Sequence, residues 1–378
     1  MTCYLKCDIF NYGNVSGINL KQIIWEMKEM KALRWHGVKD LRLENIEEPR
    51  PVKGKVKIKV EWCGICGSDL HEYTAGPIFI PAQDPHPLTG EKAPIVMGHE
   101  FSGQVVEVGE GVTRFKAGDR VVVEPIYACG HCEACKQGRY NLCDEMGFLG
   151  LAGGGGGFSE YVTAWENMVH PIPDSISYEQ GALVEPSAVA LHAVRQSKLK
   201  VGDTAAVFGA GPIGLLVIEA LKASGASEIY VVELSEERKA KAEELGAIVI
   251  DPTKFDVVDE IHQRTNGGVN VAYEVTGVPP VLQQAINSTR IGGELMIVSI
   301  FEKEAPIMPN SIVMKERTVN GIIGYRDVFP AVISLMDKGF FPAEKLVTKR
   351  ISLDEVVSEG FEALLKEKNQ VKILVKAE

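Results

Sequence analysis

The sequence predicts an α/β protein of two units, one rich in antiparallel strands and one built on a doubly wound parallel sheet. Three observations predict it. The chain has 378 residues, more than a single hydrophobic core usually organises. From about residue 30 to 186, short runs of alternating polarity are broken by Gly and Pro, as in β-rich units. From about 187 to 327, strand-like runs alternate with helical ones, which implies right-handed crossovers and a parallel sheet.

Composition narrows the function classes. Apolar residues make up 45% and charged residues 24%, the balance of a soluble globular chain. The net charge of −11 is not offset by a basic stripe, so nucleic acid and anionic membrane are poor partners. No apolar run reaches the roughly 18 residues that a membrane span needs. Residues 1–29 lack the apolar run of a signal peptide and are expected to lie outside the fold, with an ordered arm as the alternative. Crowded cysteines without a secretory signal favour metal over disulfides, and hence a cytoplasmic location.

In the first unit, strands are expected over 56–60, 101–108 and 120–124. In 56–60, Val-Lys-Ile-Lys-Val alternates apolar and charged residues. The glycine run 153–157 cannot form a regular element, because Gly loses most backbone entropy on ordering. It reads as a mobile loop before a strand over 159–163. In the second unit, a helix over 187–196 leads into strand 204–208, helix 212–223, strand 228–232 and helix 235–245. Strands over 248–250, 269–275, 294–299 and 318–322 continue the alternation. Helices over 329–338 and 353–366 and a strand over 370–375 are expected to return to the first unit. The unit boundaries are thus 30–186 with 328–378, and 187–327.

Two metal constellations stand out. Cys129, Cys132, Cys135 and Cys143 lie in one loop. Four soft thiolates suit tetrahedral zinc and leave no open position, so this zinc is expected to be structural. An iron–sulfur cluster or a nucleic-acid zinc ribbon is the alternative, and Glu133, Asp144 and Glu145 would repel a phosphate backbone.

The second is Cys66-Gly-Ser-Asp-Leu-His71 read with Gly98-His99-Glu100. It offers a thiolate, an imidazole and a carboxylate, with the hydroxyl of Ser68 beside them. Such a set can hold zinc with one position open to a reacting oxygen. Ser68 and His71 form a candidate proton relay. A lone Cys or His is more often core packing, but Gly98 and Gly103 around His99 leave room for close approach. Cys63 and Cys66 could instead form a redox dithiol. Gly67 and Ser68 start no good helix, so the acidifying helix N-terminus of such a pair is not expected, and Cys63 reads as inert. Pro186 suits a first helical position and drives the residue before it extended. Glu185 is therefore expected to be aimed at the join between the units, or else to cap the helix.

Gly209-Ala-Gly211-Pro212-Ile213-Gly214 fits G-x-G-x-x-G between strand and helix. Gly209 makes the turn, Gly211 admits a pyrophosphate, and Gly214 lets helix and strand pack closely. Glu233 ends the next strand, where a carboxylate accepts from a ribose 2′-hydroxyl and repels a 2′-phosphate. NAD is therefore expected over NADP. Arg238, one turn into the following helix, reaches the adenosine ribose or only solvates that face.

Together these residues resemble the zinc-dependent medium-chain dehydrogenases/reductases. Gly98-His99-Glu100-x2-Gly103-x5-Gly109-x2-Val112 is similar to that family's zinc signature. Within it, the insert over 76–91 and the stretch Leu183-Val-Glu-Pro-Ser-Ala-Val-Ala-Leu-His192 look like the polyol dehydrogenases. The resemblance implies a GroES-like catalytic unit and a Rossmann cofactor unit. It implies Cys66, His99 and Glu185 as ligands of a catalytic zinc, with Glu100 as the alternate acid, and a second, structural zinc. It further implies nicotinamide contacts at Val275, Thr276, Val298, Ser299 and Ile300, and a homotetramer or homodimer. The implied activity is the NAD-linked interconversion of (R,R)-2,3-butanediol and (R)-acetoin, with sorbitol, xylitol or threonine as alternative substrates. A non-catalytic dinucleotide-binding protein is the reading of another class.

Overall fold

The computed structural model describes residues 28–367 and 370–377. The expected N-terminal extension falls, but for its last two residues, outside the described residues. The chain enters as the strand Glu29–Gly37, paired antiparallel with Asp40–Glu47 and with Ile95–Val96.

The first unit centres on the strand Lys55–Gly64. Val56, Ile58 and Val60 are buried on its inner face, as period-2 patterning requires. One edge pairs with Glu100–Val108 along its length. The other is shared by Tyr161–Trp165 and by the C-terminal strand Lys372–Lys376. Lys57 departs from the alternation. It too is buried, with its ammonium on Glu48 and over the ring of Tyr161, because a long apolar stem can bury while its charge is paired.

The second unit is a six-stranded parallel sheet. Its order is Ile248–Ile250, Glu228–Val232, Thr204–Phe208, Val269–Glu274, Thr289–Ile297 and Thr318–Gly321. The chain winds outward in both directions from Thr204–Phe208, so the strand order reverses between it and Val269–Glu274. Loops leaving the carboxyl ends of these two strands must diverge, and the crevice between them is where such folds bind nucleotides. Both faces are covered. Ala205 and Val207 belong to one core with the helices Val184–Gln196 and Pro212–Ala223, while Ala206 and Phe208 face another with Ile261 and Ala285.

Four local expectations are corrected. A helix does form at Gly67–Ala75, with Cys66 as its N-cap residue. The backbone N–H of Cys66 donates to the Asp69 carboxylate at 3.0 Å, and that contact offsets the poor propensity of Gly67 and Ser68. The helix expected over 187–196 starts earlier and spans Val184–Gln196. Glu185 is therefore helical rather than extended. Pro186 sits in the first turn, where the missing N–H has no intrahelical partner to lose.

The glycine run is a packed loop rather than a mobile one. Gly153, Gly156 and Gly157 are buried. The N–H of Gly157 donates to Gly98 O at 2.6 Å, and that of Phe158 to Met97 O at 2.9 Å. Close approach, not freedom, is why glycine stands there: a Cβ on Gly156 would lie 2.3 Å from Met97 O. Finally, the segment expected as one helix over 353–366 is a 3₁₀ turn at Leu353–Glu355, a π-turn at Val356–Phe361 and an α-turn at Glu362–Lys366. Gly360, whose Cβ would stand 2.6 Å from Ile65, lets the widened turn press on the first unit's core.

Gly156→Ala should overpack this loop. The expected loss is about 1–3 kcal/mol, read as a lower urea midpoint with an unchanged m-value.

Candidate metal and dinucleotide site

Strand register builds the metal constellation. Gly64 on Lys55–Gly64 pairs with Glu100 on Glu100–Val108. Cys66 follows the end of one strand, and His99 precedes the start of the other. The ligand atoms of Cys66, His99 and Glu100 all lie within 4.8 Å of one another. Gly64 is required here, since a Cβ would stand 2.2 Å from Glu100 Oε2.

Each member is held from behind. His99 is buried, and its Nδ1 faces Asp69 Oδ1 at 3.5 Å, both atoms lacking a hydrogen-bond partner among the described residues. Its Nε2 lies 3.2 Å from Ser68 Oγ. Burial disfavours a charged His99, but Asp69 and Cys66 outweigh it and hold its pKa well above the usual range. Glu100 is fully buried against Lys372 Nζ, at 2.7 and 2.8 Å.

Glu185 lies outside the three-residue grouping. It accepts from the Tyr325 hydroxyl at 2.7 Å, and burial pushes its carboxyl up to about 7. A thiol, an imidazole backed by a carboxylate and a buried acid are the donor set that zinc takes. The residues present therefore fit the ion.

The four-cysteine lobe also fits. Its sulfurs lie within 4.8 Å of one another, and Cys129 Sγ and Cys135 Sγ are 4.0 Å apart. That is too far for a disulfide and close to the roughly 3.8 Å edge of a zinc–thiolate tetrahedron. Backbone N–H groups of Cys129, Cys132, Cys135 and Glu145 point at the sulfurs, and the N–H of Asp144 helps hold the Cys132 thiol down to about 6. Cys63 lacks the exposure that a redox thiol needs. It is fully buried, and burial pushes its thiol pKa well up. It reads as inert, though the missing helix is not the reason.

A cavity of about 300 Å³ joins the two units. Its walls include Cys66, Ser68, His71, His99, Glu100 and Glu185 from the first, with Ile213, Val275, Thr276, Val298, Ser299 and Ile300 from the second. His71, partly exposed, meets Glu302 at 2.9 Å at the mouth. No direct hydrogen bond joins Ser68 to His71 among the described residues.

The dinucleotide loop behaves as its glycines require. Gly209 has φ +106°, and a Cβ there would lie 2.7 Å from Thr276. A Cβ on Gly214 would lie 2.1 Å from Gly209 O, whereas Gly211 faces open space. Pro212 is at the first helical position. Glu233 accepts from the Ala210 N–H at 2.8 Å and the Ser235 N–H at 2.9 Å, with acceptor capacity left for a hydroxyl. Arg238 Nε is buried without a hydrogen-bond partner among the described residues.

The chain matches the alcohol dehydrogenase GroES-like domain over residues 52–174 and the zinc-binding dehydrogenase domain over 212–338. The chain belongs to the zinc-dependent medium-chain dehydrogenases. As a member it is an oxidoreductase that uses zinc and a nicotinamide cofactor. It is 71% identical over 349 residues to the (R,R)-butanediol dehydrogenase of Bacillus subtilis (strain 168), covering 92% of this chain and 99% of that one. The crystal structure of 2R,3R-butanediol dehydrogenase from Bacillus subtilis is similar at a TM-score of 0.89, with 70% identity over 92% of this chain and 99% of that one. A zinc-binding dehydrogenase from Sinorhizobium meliloti 1021, bound to NADP, has a TM-score of 0.85 and 32% identity, covering 92% of this chain and 99% of that chain.

Several members of this dehydrogenase site were missed in the sequence. Asp69, Lys372 and Tyr325 act through neighbours distant in the chain. Phe148, Leu151 and Ile323 line the cavity but read as core. Glu274 is buried at the end of its strand and accepts from the Gly277 N–H and from Thr276 and Ser299, so it ties together the two loops on the cofactor side. The strand end Tyr-Glu-Val-Thr-Gly was the available signal, as an acid where a hydrophobic strand stops.

Asp69→Asn should weaken zinc binding at His99 by about 10–100-fold. Competition with a chromogenic chelator measures this without an activity assay.

Proposed function

We propose that this dehydrogenase interconverts (R,R)-2,3-butanediol and (R)-acetoin, with NAD as the hydride carrier. The observation that carries the reading is the single cavity holding the metal constellation on one wall and the nicotinamide-side loops on the other. High identity to a butanediol dehydrogenase supports the substrate. So does the chemistry of the walls: Phe79, Phe148, Leu151 and Ile323 are apolar, and the polar lining groups cluster on the metal and cofactor sides. A four-carbon diol suits such walls. Sorbitol or xylitol would leave distal hydroxyls unpaired there, and threonine an ammonium and a carboxylate.

Cys66 and His99 would hold the catalytic zinc with one carboxylate. Proximity supports Glu100, while Glu185 is the second candidate, engaged by Tyr325. Zinc supplies a Lewis acid that lowers the pKa of an alcohol. Ser68 would pass the hydroxyl proton outward, and His71, which meets Glu302 at 2.9 Å, would release it to solvent. Cys129, Cys132, Cys135 and Cys143 would bind a second, structural zinc. Among the described residues no helix is long and apolar enough to cross a membrane, and four cysteines gathered in a metal-suited lobe support a cytoplasmic home. Exposed Met308, Val313 and Met314 support a homodimer or homotetramer.

Glu233 supports NAD, although the Sinorhizobium meliloti relative carries NADP. Glu233→Ser should raise kcat/KM for NADP at least tenfold while lowering it for NAD, and an unchanged cofactor ratio counts against the assignment. A stereospecific assay with each butanediol enantiomer tests the substrate: turnover of (R,R) to acetoin is expected, and inactivity with acetoin and NADH sinks the reading. Metal analysis should give two zinc ions per chain. Cys132→Ser should lose one of them and melt at lower temperature.

A further inference from the structure

The helix that carries Ser68 and His71 into the cavity also buries a carboxylate that the chemistry above does not use. Glu72 is fully buried. Its carboxylate accepts from three successive backbone N–H groups, those of Ile78 at 3.0 Å, Phe79, and Ile80 at 3.2 Å. No cation pairs with it among the described residues. An unpaired buried carboxylate persists only where such donors replace water, so the backbone over 78–80 is curled around a charge. The approach is tight, since a Cβ on Gly76 would lie 2.5 Å from both the Glu72 carbonyl and its carboxylate.

Phe79 is the middle residue of this clamp. Its N–H points at Glu72 and its ring lines the cavity. The ring stands edge-on to Phe148, with centroids 6.5 Å apart and planes at 74°, and Phe148 in turn lies 6.2 Å from the His99 ring. The distance from the metal constellation to the far wall therefore depends on where Glu72 holds residues 78–80.

We propose that Glu72 is a positioning residue for substrate size: by clamping residues 78–80 it fixes Phe79 as the end wall of the cavity, so the site accepts a carbinol whose neighbouring arm is short. The proposal rests on the vicinal diol reading of the site.

The test uses zinc-loaded enzyme, saturating NADH and two α-hydroxyketones, acetoin and the longer 4-hydroxy-3-hexanone. Phe79→Ala should raise the long-to-short ratio of kcat/KM at least tenfold. Glu72→Gln keeps the size, removes the charge and sets an amide NH₂, in place of Oε2, against the Ile78 N–H. It should move the ratio the same way, through a higher KM for acetoin with KM for NADH unchanged. The double variant should go no further than Phe79→Ala alone, because both act on one wall. Should Glu72→Gln fail to fold, Glu72→Asp, which withdraws the charge by one methylene, carries the same comparison.

An unchanged ratio in a folded Glu72 variant overturns the proposal, as does a double variant whose effects simply add. A wild-type enzyme inactive on acetoin but active on the longer ketone overturns the substrate reading instead, and the ratios across the variants still judge the wall.

Discussion

The antiparallel register between Lys55–Gly64 and Glu100–Val108 is the constraint on which the site depends. With Gly64 opposite Glu100, the chain leaving one strand and the chain entering the other deliver Cys66 and His99 to the same point. A slip of one residue would turn Glu100 to the opposite face of the sheet and separate the three donors. The register is itself held by burial of Val56, Ile58 and Val60. It is also held by Lys372, which arrives on a third strand to neutralise Glu100. A buried acid without that cation would be costly. Core packing and site geometry are here one arrangement.

A second theme is how the protein treats carboxylates. Asp69, Glu72, Glu233 and Glu274 all accept backbone N–H groups, and each lies where a loop must be held at a fixed distance from the cavity or the dinucleotide loop. Backbone N–H donors satisfy carboxylate oxygens that packing removes from bulk water. The result is a set of tethered loops around a cavity whose walls gather the polar groups suited to metal and cofactor. The cofactor side adds the strand-order reversal, which parts the loops after Phe208 and Glu274 and leaves the opening where the nicotinamide-side residues gather.

Local chemistry made much of this legible. The two metal constellations and the G-x-G-x-x-G loop are short motifs in which spacing and residue type already carry the physics, and the structure groups them at close range. The alternation of strands and helices in the second unit was equally readable, because buried parallel strands need continuous apolar runs. What misled was conformation decided by a partner elsewhere. Asp69 rescues a helix start that Gly67 and Ser68 disfavour, and the glycines over 153–157 are pinned by Met97 and Gly98. Glu185 is drawn into a helix that begins before its proline.

The sequence by itself determined the classes of chemistry, a sulfur–imidazole–carboxylate site and a phosphate-cradling loop, because those depend on residue types a few positions apart. Only the tertiary structure decided which acid lies nearest Cys66 and His99, which side chains wall the cavity, and that both halves share it. Those outcomes rest on strand register and on buried charges finding partners hundreds of residues away, such as Lys372 for Glu100, and no local pattern encodes such pairings.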